Sequence, residues 1–110
     1  MNFVVTEMTF LRYFLPLVGA GNKRGLKSKI FISPNSKYNN PHSYLSEIEN
    51  YSNALNFEVH DLNQINNHPD ITFFIEGCGI NHVSYNDKKI SITYMTAVSY
   101  THLTLPTIYS

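Results

Sequence analysis

Apolar residues fall along this chain in short blocks of two alternating kinds. Asn2-Phe-Val-Val-Thr6 is a β-branched and aromatic run that reads as a buried strand. After Thr6-Glu7 the spacing changes, and Leu11, Phe14, Leu15, Leu17 and Val18 mark one face of a helix that ends around Gly19, Gly21 and Gly25. Pro16 suits a first helical turn, where its missing N–H is not needed. The regular helix therefore starts near residues 13–15, or an earlier helix is kinked at the proline. Lys29-Ile-Phe-Ile-Ser33 is a second strand. Asn40-Pro41 then offers an N-cap and a first-turn proline to a helix whose apolar stripe is Leu45, Ile48, Tyr51 and Leu55, with Ser46, Glu47, Glu49, Asn50 and Asn53 opposite. Alternation over residues 57–62 predicts an edge strand. After a polar spacer, residues 71–75 and 90–94 read as two more strands, separated by Glu76-Gly-Cys-Gly79 and a loop through Asn86-Asp87.

Strands alternating with helices predict a parallel sheet covered by helices. Right-handed crossovers then favour a Rossmann-like, doubly wound α/β fold of about five strands in the order 3-2-1-4-5. Ligands of such sheets bind beyond the carboxyl ends of the strands, at the switch point between the first and the fourth. Glu7 follows the first strand and Glu76 the fourth, so both carboxylates are expected at one crevice, where separated pKa values would suit them to acid/base work. Thr6, Thr9, Arg12, Gly77, Gly79 and Asn81 are the expected substrate-binding neighbours. Turn formation is the other reading of the two glycines, and solvation at the strand ends, or binding to Arg12, the other reading of the carboxylates.

Composition narrows the classes. The 110 residues are 43% hydrophobic and 15% charged with zero net charge, which describes a chain able to build a core. The densest basic cluster, Lys23-Arg24 with Lys27 and Lys29, is short and lacks interleaved aromatics, so nucleic acid is not an expected partner. The single cysteine, Cys78, forms no internal disulfide and fits a reducing, cytoplasmic compartment. No run reaches the roughly 20 apolar residues that cross a bilayer. Gly19-Ala-Gly21 with Gly25 superficially evokes a dinucleotide loop, but it follows the helical stripe instead of joining a strand to a helix start. His42, His60, His68 and His82 show no ligand spacing, and no metal is expected. Cys78 with His82 as its base is a conceivable nucleophile pair, set against a small, partly buried cysteine.

The run from Leu15 to Ile32, with Pro16, Leu17 and Arg24-Gly25 at matching places, resembles the opening of the N-terminal domain in two-domain GT-B glycosyltransferases. Leu26 stands where that family often has histidine, and the common glycine-histidine pair before the helix is absent, with Arg12-Tyr13 nearby instead. The resemblance implies an acceptor-side domain facing a small-molecule or glycan acceptor. The nucleotide-sugar donor would sit mostly in a second, C-terminal domain of a longer parent, and no cofactor would be bound by this part alone. A glycerophosphotransferase of the same architecture is compatible with these residues. A non-catalytic flavodoxin-like domain that binds ligand or regulates is the competing class; a receiver would need clustered acids after its first strand, and only Glu7 is well placed.

The final stretch reads as sequence of a different origin. Val98-Ser-Tyr-Thr-His-Leu-Thr-Leu-Pro-Thr107 resembles one reading frame of the transposase-derived adapter used in short-read DNA libraries, and Ala97 is consistent with the bases that precede that frame. Residues 1–96 are accordingly expected to be an incomplete N-terminal domain, and residues 97–110 an adapter-derived tail. On this reading the fifth strand is left as an uncovered edge.

Overall fold

Phe3 and Val5 point to one face of a parallel sheet and Val4 to the other, and this alternation organises the molecule. The computed structural model describes residues 1–34 and 36–93, together with the backbone of the short strand Ile108–Tyr109. β1 (Asn2–Val5) lies in the middle, flanked by β2 (Lys29–Ile32) and β4 (Thr72–Ile75). β3 (Glu58–Asp61) pairs beyond β2 and β5 (Lys89–Ile92) beyond β4, giving five parallel strands in the expected order 3-2-1-4-5.

The far edge differs from expectation. β6 (Ile108–Tyr109) pairs antiparallel with β5, Ser91 opposite Tyr109 and Ile92 opposite Ile108, so β5 is not left uncovered. The fifth strand was expected over residues 90–94; Tyr94 lies outside the described residues, as do 95–96 and, of the expected tail, 97–107 and Ser110.

Both long helices cover the same face. α1 (Met8–Lys23) and α2 (Leu45–Leu55) follow β1 and β2, and two successive right-handed crossovers in one direction place them side by side. Leu11, Phe14 and Val18 of α1 and Ile48 of α2 bury against Phe3, Val5, Ile30, Ile32 and Ile75. The Phe3 ring lies 5.0 Å from those of both Phe14 and Phe73, tilted on the first and stacked on the second. Among the described residues, the opposite face is closed by short 3-10 segments instead of α-helices. Leu62 and Ile65 from the turn Leu62–Asn67, with Val83, cover Val4, Phe31 and Phe74. Among the described residues no helix is long and apolar enough to cross a membrane.

Of the two starts predicted for the first helix, the earlier is found. α1 begins at Met8 and runs through Pro16, whose exposed ring faces solvent. The proline removes one helical hydrogen bond, and burial of Met8, Phe10, Leu11 and Phe14 outweighs that loss. The glycines also divide their roles. Gly19 and Gly21 lie inside the helix, Gly21 with Met1 Cε and Leu26 close by, while Gly25 at φ 75° ends it. Leu26 N–H donates to Gly21 O and Gly25 N–H to Asn22 O, the pattern of a Schellman stop. Asn40 accepts from His42 N–H as expected, but it caps a 3-10 turn, Pro41–Tyr44, before α2 proper.

Candidate functional site

The carboxyl ends of β1 and β4 lie side by side at the switch point where a ligand crevice is expected, and two tight turns follow β4 there. After β4 the chain reverses through Glu76 at φ 53° and Gly77 at φ 69°, closed by Cys78 N–H donating to Ile75 O at 2.9 Å. Two successive left-handed residues describe a type I′ turn. Gly79 at φ 86° makes the next bend, with Ile80 N–H on Gly77 O. The segment is tied to β5 by Glu76 N–H donating to Ile92 O and Gly77 N–H to Ser91 Oγ. It also lies hard against β1. A Cβ on Gly79 would stand 2.6 Å from Val4 Cγ1 and 3.2 Å from Thr6 Cγ2, so glycine permits both the bend and the approach.

Cys78 reports the electrostatics of the crevice. Burial pushes its thiol up from the ordinary range, and the negative fields of Glu7 and Glu76 push it further; a hydrogen bond with Thr6 acts in the opposite sense. Both carboxylates therefore act electrostatically on one half-buried thiol, and Thr6, Glu7, Glu76 and Cys78 all follow the carboxyl ends of β1 and β4. A thiol raised in this way is a poor nucleophile at neutral pH. His82 is not among the groups that move this thiol's pKa.

The third wall comes from the loop after β2. Ser33 N–H donates to Val5 O, and Ser36 Oγ–H to Thr6 O. Asn39, itself left-handed at φ 44°, accepts the first N–H of α1 from Met8 at 2.7 Å and donates from Nδ2 to Thr9 Oγ1 at 3.2 Å. Glu7 occupies the N-cap position of α1 without a side-chain cap bond. The helix start thus carries a carboxylate beside it and has already spent one donor, which is unfavourable for a phosphate.

Arg12 does not join this group. Its guanidinium reaches α2, donating from Nε and Nη2 to the Glu47 carboxylate at 3.2 and 3.3 Å and lying 5.6 Å from the Tyr44 ring centre. The Glu47 carboxyl is held below its usual range by that hydrogen bond. Asn81 sits exposed on the 3-10 turn Ile80–His82. Thr9 is at the rim, engaged by Asn39. Ser36, Asn39 and Ser91 were not anticipated, although the rule that loops at the carboxyl ends of the strands converge would have pointed to them. Among the described residues no three His, Cys, Asp or Glu side chains converge on a metal-sized site. Comparison with protein-family models, with curated proteins and with solved structures returns no match.

Proposed function

We propose that this chain is the acceptor-side N-terminal part of a GT-B-type glycosyltransferase, with the nucleotide-sugar donor held by a second domain of a longer parent. The supporting observation is the set of groups beyond the end of β1: Glu7 stands at the start of α1, Glu7 and Glu76 both push the Cys78 thiol up, and the first N–H of the helix is bonded to Asn39. This surroundings of carboxylates and hydroxyls repels a diphosphate and offers acceptors to a neutral, hydroxyl-rich molecule. Glu7 or Glu76 would take the proton from an acceptor hydroxyl as its oxygen bonds to the anomeric carbon. The bond from that carbon to the diphosphate breaks, and the leaving group goes to the other domain, which must supply its cationic or helix-dipole clamp. The free Cys78 thiol fits a cytoplasmic setting.

Backbone amide shifts on titration with methyl glucoside, glycerol and uridine diphosphate test the reading. Neutral polyols are expected to perturb residues 6–9 and 76–79 selectively, and glycerol outcompeting the sugar would favour the glycerophosphotransferase form. Preferential binding of the diphosphate at those residues overturns it. The divided cleft also requires that the purified chain transfer no sugar by itself, so detectable transfer counts against it. The adapter reading of residues 97–110 is tested by recovering the gene without library adapters. A second α/β domain downstream is expected, whereas a stop codon soon after a sixth element favours a single flavodoxin-like module.

A further inference from the structure

The five parallel strands all begin at one end of the sheet, and α1, which returns from β1 to β2, ends there too. Lys23 ends α1 and Arg24 caps it, Lys27 and Lys29 lead into and open β2, and Lys88 and Lys89 do the same for β5. Six of the eight basic residues therefore gather at this amino end. Three acids share it. Asp70 is answered by the Met1 ammonium at 3.0 Å and Lys29 Nζ at 4.0 Å, Glu58 by His60 at 3.0 Å, and the third is Asp87. Lys23, Arg24, Lys27 and Lys88 are exposed, and among the described residues none of them forms an ion pair. The carboxyl end carries Glu7, Asp61 and Glu76 against Lys37, so the two ends of the sheet differ in sign and the amino end meets solvent as a positive surface.

At the turn between Arg24 and Lys27 stands an uncovered apolar side chain. In a Schellman stop, the residue whose N–H reaches back to the helix usually packs its side chain on the residue that accepts the bond. Leu26 N–H donates to Gly21 O at 2.9 Å, and Gly21 has no side chain to receive it; a Cβ there would stand 2.5 Å from Met1 Cε. Leu26 is left 47% exposed among cations. We propose that this end of the protein docks on an anionic lipid bilayer, with Leu26 entering the headgroup layer and Lys23, Arg24, Lys27 and Lys88 meeting lipid phosphates. An apolar tip ringed by unpaired cations matches a surface whose anionic groups lie over hydrocarbon. Residues 22–29 and 86–89 hold no aromatic side chain on which a base could stack, which sets nucleic acid aside. The docked chain holds Glu7 and Glu76 at the far end of the sheet, away from the lipid. This inference rests on the amino end alone and is independent of the proposed acceptor chemistry.

The test sediments the full chain with vesicles of phosphatidylcholine and of phosphatidylcholine mixed with phosphatidylglycerol. The chain is expected to bind only the mixed vesicles, to release as salt is raised, and to show lipid-dependent broadening of amide signals confined to residues 22–29 and 86–89. Lys23→Gln with Lys27→Gln should lower the partition coefficient by about twentyfold. Lys88→Gln alone, a single exposed change that guards against misfolding of the double variant, should lower it by about fivefold. Leu26→Ser should weaken binding several-fold, a loss that a purely electrostatic partner would not register. Equal binding to neutral vesicles, unchanged partition in the lysine variants or in Leu26→Ser, or preference for a polyglutamate peptide or an oligonucleotide over the mixed vesicles would each overturn the proposal.

Discussion

The α-ammonium of Met1 stands 3.0 Å from Asp70 Oδ2, joining the start of β1 to the residues that lead into β4. Burial alone would raise the Asp70 carboxyl, but hydrogen bonds from that ammonium and from Ile71 N–H hold it below the ordinary range. A depressed folded pKa stabilises the protein above the unfolded value, about 3.9, and the contribution is lost as pH falls through the folded pKa. Asp70 is 39% exposed, so solvent screening keeps the gain to about 0.5–1 kcal/mol. Asp70→Asn should therefore be less stable than the parent by that amount at pH 7, the gap closing below about pH 4. Urea denaturation across the range measures it, and a gap unchanged down to pH 2.5 contradicts the assignment.

Two glycine substitutions should act in opposite directions. Gly79→Ala meets both an unfavourable φ of 86° and Val4 Cγ1 at 2.6 Å, and is expected to cost about 2–4 kcal/mol. Gly19→Ala has nothing within 4 Å of its new methyl group and lies inside α1, where alanine should stabilise by about 0.5–1 kcal/mol. Thermal denaturation of the pair checks the local geometry of the crevice turn against an internal control.

The Cys78 thiol should react slowly. Burial and the fields of Glu7 and Glu76 keep it protonated, so alkylation by iodoacetamide at pH 7.5 should lag behind that of free cysteine. Glu76→Gln removes one negative field, favours the thiolate and should speed the reaction. An unchanged rate in that variant would show that Glu76 does not face the thiol.

Arg12→Ala separates the crevice from the helix pair. Because the guanidinium is engaged by Glu47 on α2, polyol-induced shifts at residues 6–9 and 76–79 should be the same in this variant as in the parent. Loss of those shifts with the fold intact would return Arg12 to the crevice.

The strands were legible because Phe3-Val-Val, Ile30-Phe-Ile and Thr72-Phe-Phe-Ile are dense in residues that a sheet buried on both faces requires. Their order followed from crossover handedness, and that order sets Glu7 and Glu76 after the carboxyl ends of neighbouring strands. Partners that are distant in sequence were not legible. Arg12 looked available until α2 delivered Glu47, and Asn39 showed no sign of accepting from Met8 N–H across a loop. Leu62 read as the end of the edge strand and residues 63–69 as a polar spacer, because Ile65 alone is too little to reveal a helical stripe, yet the three-residue spacing of Leu62 and Ile65 is that of the 3-10 turn they form.

The central position of β1 also sets an order of assembly. Asn2 pairs with Lys29 on one side but with Thr72 on the other, so during synthesis one edge of the first strand can be satisfied long before the second partner has left the ribosome. Until β4 arrives, Phe3 and Val4 belong to an unfinished sheet edge and Glu7 has no opposite carboxylate. The crevice is thus a late product of folding, and a nascent chain halted before Thr72 would display an aggregation-prone strand where the finished protein has its central one.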